Sequence, residues 1–76
     1  MSNKKKILIN EFLKILNIND LNGKKNLKMK EVKSWDSLNH IKLILSLQKK
    51  FGKSVNSSQI SSLNSFLKLT KFFLKD

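Results

Sequence analysis

Residues 35–52 read Trp-Asp-Ser-Leu-Asn-His-Ile-Lys-Leu-Ile-Leu-Ser-Leu-Gln-Lys-Lys-Phe-Gly and contain the strongest helical pattern of the chain. Apolar residues recur there at the spacing of three and four that gives a helix one broad apolar face. This face comprises Leu38, Ile41, Ile44, Leu45, Leu47 and, at its end, Phe51. Asp36 is a favourable N-cap, because its carboxylate can accept a hydrogen bond at the positive end of the helix dipole. Gly52 stands where a left-handed C-terminal cap belongs, so the pattern predicts a helix over residues 37–51.

A first helix is predicted before this one, over residues 3–18, with Ser2 or Asn3 as its cap. Its apolar stripe consists of Leu8, Ile9, Phe12, Leu13, Ile15 and Leu16. Residues 20–33 then form a long, lysine-rich loop with an Asn-Gly turn signal. Such a loop is uncommon in a compact domain unless it is anchored, so we expect its apolar residues to pack on the core. These residues are Leu21, Leu27, Met29 and Val32.

Two further helices are predicted after residue 52. Residues 57–63 are rich in serine, a weak helix former, and indicate a short and poorly stable helix capped by Asn56 or Ser57. A last helix is predicted over residues 65–74. A chain of 76 residues suits a single domain, here residues 1–76. The sequence therefore predicts an all-α fold, a small four-helix bundle with three main helices, a short third helix and a long loop between helices 1 and 2.

The composition argues against an enzyme. The chain has no cysteine, and His40 is its one histidine. Disulfides and thiolate metal sites are therefore excluded, and a histidine-based metal site or a Ser-His-Asp triad within one chain is poorly supported. No segment approaches the roughly 20 apolar residues that span a bilayer, and the basic start at Met1–Lys6 is not followed by a signal-peptide core. We expect a non-catalytic, cytoplasmic monomer without a metal.

The net charge of +11 indicates polyanions, such as nucleic acid or an anionic membrane, as a class of partner. All 16 basic residues are lysine, and the missing arginine disfavours base-specific DNA recognition without disfavouring attraction to phosphates. One alternative is therefore a small helical protein that binds nucleic acid or an anionic membrane non-specifically, through Lys4–Lys6 and Lys24–Lys33. A single tryptophan and no tyrosine offer little for base stacking. The abundance of lysine, asparagine and isoleucine also fits an AT-rich gene, which would raise the lysine content without selection for function.

The order of helices and the Trp-Asp-Ser-Leu sequence at the start of the second one resemble the acyl carrier protein family, in its Trp-Asp-Ser-Leu subgroup. The resemblance covers nearly the whole chain and is most specific over residues 35–52. It implies that a phosphopantetheinyl transferase attaches 4'-phosphopantetheine from coenzyme A to Ser37. It further implies that Asp36 presents this serine and contacts the transferase, and that Leu38 belongs either to the core or to a docking surface. The implied function is to carry acyl or aminoacyl groups as thioesters for the enzymes of a specialised pathway.

The resemblance also implies an acyl-chain pocket and a docking surface. The pocket would be formed by core residues that open between the second and third helices. These are Ile41, Leu45, Val55, Ile60 and Leu63. Family members commonly carry acidic residues on the second helix, whereas the exposed positions expected here are Asn39, Lys42, Gln48, Lys49 and Lys50. Since like charges repel across an interface, we expect acyl-loading and acyl-processing partners with acidic or neutral docking surfaces.

Plainer interpretations exist for the same residues. Ser37 can be only the first residue of a helix, and Asp36 only its cap. His40 is expected to be an ordinary half-exposed histidine rather than a phosphate contact, and Trp35 a packing residue that anchors the loop. A carrier-like scaffold that is never modified, and that acts through protein contacts alone, is a further alternative.

Overall fold

The computed structural model describes residues 3–19 and 27–74, with the side chain of Asn3 excepted. Four α-helices follow one another: α1 (Asn3–Leu16), α2 (Ser37–Phe51), α3 (Ser57–Ser62) and α4 (Phe66–Phe73). A single 3-10 turn, Met29–Glu31, lies in the connection between α1 and α2. Within the described ranges there is no strand, so the predicted all-α class with three main helices and a short third one is confirmed. The expectations for Ser2, Leu21 and the Asn22-Gly23 turn lie outside the described residues.

Helix α2 has the predicted bounds, and its two caps explain why. The Asp36 carboxylate accepts a hydrogen bond from the backbone N–H of Asn39 at 2.9 Å. Gly52 follows the helix with φ 62°, and its N–H donates to the carbonyl of Gln48. A left-handed residue is least costly when it is glycine, so α2 ends where the sequence places Gly52.

Helix α1 ends two residues earlier than predicted. Asn17 adopts φ 56°, a left-handed conformation that asparagine tolerates better than most residues. The N–H of Ile18 then donates to the carbonyl of Leu13 at 3.0 Å, which closes the helix end. Leu8, Phe12 and Leu16 are fully buried along the inner face of the helix.

The core is built around the ring of Phe12. Its centroid lies 5.1 Å from that of Trp35 and 5.0 Å from that of Phe66, both in edge-on geometry. Such aromatic pairs stabilise a core by about 0.5–1.5 kcal/mol beyond the area that they bury. The cluster joins α1, the segment before α2, and α4. The other buried apolar residues are Leu8, Leu16, Leu27, Leu43, Ile44, Leu47, Val55, Leu63, Leu69 and Phe73.

The described part of the connection between α1 and α2 is held against the start of α4. The N–H of Phe66 donates to the carbonyl of Leu27 at 2.7 Å, and the N–H of Met29 donates to the carbonyl of Asn64 at 2.9 Å. Leu27 is buried, and Met29 and Val32 are partly buried against the core. The predicted anchoring of this loop by apolar residues is confirmed for these three.

Helices α3 and α4 begin at good caps. Asn56 and Gln59 form a reciprocal capping box at the start of α3, although no residue of this six-residue helix is fully buried. The Ser65 hydroxyl accepts a hydrogen bond from the N–H of Lys68 at the start of α4. This helix buries Phe66, Leu69 and Phe73. Because α3 contributes so little to the core, it is the helix held least firmly by packing.

A polar contact joins α1 to α2. The Ser46 hydroxyl donates to Glu11 Oε1 at 2.6 Å, and Lys50 Nζ lies 3.5 Å from Glu11 Oε2. The hydrogen bond from Ser46, and secondarily the charge of Lys50, lower the pKa of the Glu11 carboxyl below its ordinary value of 4.5, against the opposing effect of burial. A lowered pKa means that the ionised carboxylate stabilises the fold above pH 4.5 and loses this effect as the pH falls through the lowered value.

We predict that Glu11→Gln removes the contribution of Glu11 to the loss of stability at low pH. The glutamine oxygen still accepts from Ser46, but the charge is gone, so at pH 7 the variant should be less stable by about 1 kcal/mol. Urea unfolding at pH 7 and pH 3.5 measures the difference. The gap between variant and wild type should narrow at the lower pH, whereas an equal gap at both values would contradict the ionised contact. Glu31→Gln, in the 3-10 turn, is the control.

Candidate functional site at the start of α2

Ser37 is the first residue of α2, and its side chain is exposed. The first N–H groups of a helix have no partner within the helix, and the helix dipole makes this end positive. The exposed carboxylate of Asp36 is engaged by the N–H of Asn39. The hydroxyl of Ser37 therefore lies in solvent beside backbone donors that favour a negatively charged group.

The turn before Ser37 is tied to the preceding helix by two side chains. The Ser34 hydroxyl donates to the carbonyl of Leu16 at 2.5 Å, and Asn39 Nδ2 donates to the carbonyl of Ser34 at 2.8 Å. Asn39 was expected to be an exposed docking residue; the expected full exposure is wrong, because its amide donates to the turn and the residue is half-buried. The backbone around Ser37 is thus tied on both sides by these hydrogen bonds.

Trp35 and His40 form a buried hydrogen-bonded pair beside the site. Trp35 is 2 % exposed and donates its indole N–H to His40 Nδ1 at 2.9 Å. His40 Nε2 lies 2.6 Å from the carbonyl oxygen of Ile60 in α3. The prediction that Trp35 packs and anchors the loop is confirmed.

The prediction of a half-exposed His40 is wrong, since the side chain is 4 % exposed. The ring of His40 lies between the indole of Trp35 and the backbone of α3. A signal for this existed in the sequence: His40 precedes Leu43, Ile44 and Leu47 by three, four and seven residues, and these three are the other buried residues of α2. With both ring nitrogens occupied, His40 is not a phosphate contact.

An apolar stripe runs along the exposed side of α2, formed by Leu38, Ile41 and Leu45, which are 64 %, 47 % and 57 % exposed. The expectation that Ile41 and Leu45 belong to the core is wrong. The inner face of α2 is occupied by His40 and the three residues that follow it on the same side, so Ile41 and Leu45 are rotated away from α1. The sequence left open whether Leu38 belongs to the core or to a docking surface, and in the structure Leu38 lies on the surface. Large exposed apolar side chains grouped in this way are typical of interaction sites.

The five residues expected to form an acyl-chain pocket divide into two groups. Val55 and Leu63 are buried and Ile60 is partly buried, so these three belong to the core or pack on it. Ile41 and Leu45 lie on the apolar stripe instead. Leu63 also lines a surface groove of about 860 Å³, whose other walls come from α4 and from the segment after α2.

The lysines of α2 flank the apolar stripe. Lys42 and Lys49 are exposed, and Lys50 is exposed beside Glu11. Gln48 was expected on this surface but is half-buried, because its Oε1 accepts a hydrogen bond from the N–H of Val55 at 2.6 Å. Residues 37–51 contain no aspartate or glutamate. The exposed surface of α2 is therefore apolar and positively charged.

A second positively charged surface lies between the 3-10 turn and α4. It contains Lys28 and Lys30 of the loop named for the nucleic-acid alternative, together with lysines of α4 that the sequence analysis did not assign to a site. Four lysines line a groove of about 810 Å³ together with Met29 and Leu67. They are Lys28, Lys30, Lys68 and Lys71. We call this surface the basic groove. The hydrogen bonds of Leu27 and Met29 to the start of α4 bring its two walls together.

Two further observations bear on the class of site. In the described part of the chain, no three histidine, cysteine, aspartate or glutamate side chains are grouped so that they could hold a metal ion. None of the described helices is both long and apolar enough to cross a membrane.

Comparisons of the chain with protein-family models, with curated proteins and with solved structures give no match. Function is therefore inferred from Ser37, its surroundings and the pattern of residues 35–52.

Proposed function

We propose that this chain is an acyl carrier protein that receives a 4'-phosphopantetheine arm on Ser37. One observation carries the proposal: Ser37 presents an exposed hydroxyl at the capped start of α2, directly beside an exposed apolar stripe. The pattern of residues 35–52, which resembles the attachment site of this family, supports it. When attached, the arm supplies a thiol that holds acyl or aminoacyl groups as thioesters. The chain itself acts as a carrier and not as an enzyme.

The residues around Ser37 fit such a group. Free N–H groups in the first turn of α2 and the positive end of its dipole would stabilise the phosphate of the arm. The hydroxyl would act as the nucleophile toward coenzyme A, and the transferase would supply the base. His40 cannot take that proton from Ser37, since both of its ring nitrogens are already engaged. Asp36 caps α2 while its carboxylate stays exposed for contact with the transferase.

The apolar stripe is the surface on which partner enzymes would dock. Leu38, Ile41 and Leu45 lie along one side of the helix that starts at Ser37, so an enzyme seated there is close to the arm. Tethered in this way, the acyl group reaches a high effective concentration at the partner's active site. Lys42 and Lys49 beside the stripe favour a partner whose apolar patch is flanked by acidic or neutral residues.

The modification has a direct test. Incubation with coenzyme A and a broad-specificity phosphopantetheinyl transferase should add one phosphopantetheine to the intact mass of the wild type, and none to Ser37→Ala. Ser57→Ala is the matched control, because Ser57 is also an exposed first helical residue behind a polar cap, and it should be labelled fully. Absence of an adduct with several transferases, the host's own included, would refute the proposal.

The docking surface has a separate test with a transferase whose docking patch is basic. The variant Lys42→Glu/Lys49→Glu should be labelled faster than the wild type, by about tenfold at low ionic strength, because rim charges act mainly on the association rate. The advantage should shrink as salt is added. The control Lys4→Glu/Lys5→Glu changes the net charge equally, but at the exposed start of α1. An equal gain in both variants would show that net charge, and not the surface of α2, sets the rate.

The basic groove supports a second candidate function, the non-specific binding of nucleic acid or another polyanion. Binding of a labelled single-stranded oligonucleotide, followed by fluorescence anisotropy, tests it. If this is the function, the affinity should fall steeply with salt and should be lost in Lys30→Gln/Lys71→Gln but kept in Lys42→Gln/Lys49→Gln. Equal, weak binding by both variants would show that the basic groove is a solvated charged surface and not a binding site.

A further inference from the structure

Helix α3 is joined to the rest of the molecule by an unusual polar contact. It has six residues, four of them serine, and none is fully buried. Its last residues are reached by His40 of α2, whose Nε2 lies 2.6 Å from the carbonyl oxygen of Ile60. This partly buried contact ties α3 to α2 in addition to the partial burial of Ile60 against the core.

The partners of His40 determine where its proton lies. The indole N–H of Trp35 can only donate, so His40 Nδ1 must accept and carries no hydrogen. The carbonyl of Ile60 can only accept, so Nε2 must carry the hydrogen and donate. Trp35 cannot turn away to relieve this requirement, because its ring is fixed edge-on against Phe12. The closed position of α3 therefore requires a neutral imidazole in one tautomer.

We propose that His40 is a positioning residue that holds α3 closed against α2, and that protonation of its ring releases α3. Protonation at Nδ1 would set two N–H donors against each other, at a buried site where neither has an acceptor. The closed form therefore binds one proton fewer than the open form, and its stability falls as the pH falls. Histidine is the side chain whose charge ordinarily changes between pH 5 and 8.

The charged groups of the described residues around His40 are exposed or engaged by other partners, so they do not offset the effect of protonating its ring. Residues 57–62 on the α3 side carry no charge. On the α2 side, Asp36 and Lys42 are exposed, and the Asp36 carboxylate is held by Asn39. Beyond Trp35, on α1, the carboxylate of Glu11 is engaged by Ser46 and Lys50. In the loop before Trp35, Glu31 and Lys33 are exposed.

The consequence for a carrier rests on the function proposed above. Ile60 and Leu63, two of the residues expected to shelter an acyl chain, lie on or directly after α3, and both move if α3 is released. The hydrogen-bond chain from Trp35 through His40 to Ile60 would then control access of an acyl chain to the space between α2 and α3. Local opening of a weakly packed element, while the core stays folded, is a common mode of native-state motion.

The test uses the unmodified protein, so its outcome does not depend on whether Ser37 accepts an arm. Amide exchange followed by NMR, corrected for intrinsic rates, reports α3 through the N–H groups of Ile60 and Leu63, which donate to carbonyls at residues 56, 59 and 60. The N–H groups of Ile44 and Leu47 report α2. Because the chain has one histidine, its ring resonance follows protonation without overlap.

Between pH 7.5 and 5.5, protection of α3 should fall by up to about tenfold, because the open form takes up a proton on His40, while protection of α2 is unchanged. His40→Gln keeps a donor and an acceptor but cannot titrate, so α3 should stay protected at both pH values. His40→Leu should leave α3 unprotected at both. If His40→Leu does not fold, Trp35→Phe serves instead: it removes the opposing donor and should reduce the acid response.

Protection of α3 that is independent of pH in the wild type would overturn the proposal. So would a parallel loss in α2, which would indicate global unfolding. A missing phosphopantetheine adduct on Ser37 would remove the acyl-gating role alone and would leave the exchange result standing.

Discussion

The buried indole of Trp35 is the group on which the arrangement of the other elements depends. Its ring packs on Phe12 of α1, and its N–H reaches His40 of α2, which in turn reaches Ile60 of α3. Phe66 of α4 packs on the other side of the same Phe12 ring. A buried N–H without an acceptor costs about 1–3 kcal/mol, so Trp35 can occupy this position only with His40 turned inward. One side chain before α2 thereby links all four helices.

Because His40 is turned inward, helix α2 has a buried face and an exposed face. The candidate site lies at the start of the helix, where both faces begin. His40 and the leucine and isoleucine residues that follow it on the same side face the core. The opposite side exposes the apolar stripe and two lysines. Ser37 emerges at the start of both faces on a turn that Ser34 and Asn39 hold against α1. A serine held by hydrogen bonds beside an exposed apolar surface fits the carrier function proposed above, and α3 is the helix with the least buried surface.

The sequence predicted helix α2 and the starts of α3 and α4 well, because their signals act over three or four residues. Asp36, Asn56 and Ser65 each cap the helix that follows, through a side chain and a backbone N–H close in sequence. The end of α1 was missed because Asn17 adopts a left-handed conformation, a choice that its neighbours in the fold influence. Gln48 and Asn39 were assigned to the surface by residue type, yet each satisfies a backbone group that the fold brings to it.

The sequence itself determined the local order. The bounds and caps of α2, the exposed hydroxyl of Ser37 at the helix start and the positive charge along α2 follow from residue type and spacing. The tertiary structure alone decided which apolar residues of α2 are buried, since a broad apolar face becomes a core face or a docking stripe only when α1 and α3 are in place. It also decided the state of His40. A histidine in the sequence is expected at the surface by default, and His40 becomes a buried link between helices because its two ring nitrogens meet Trp35 and Ile60.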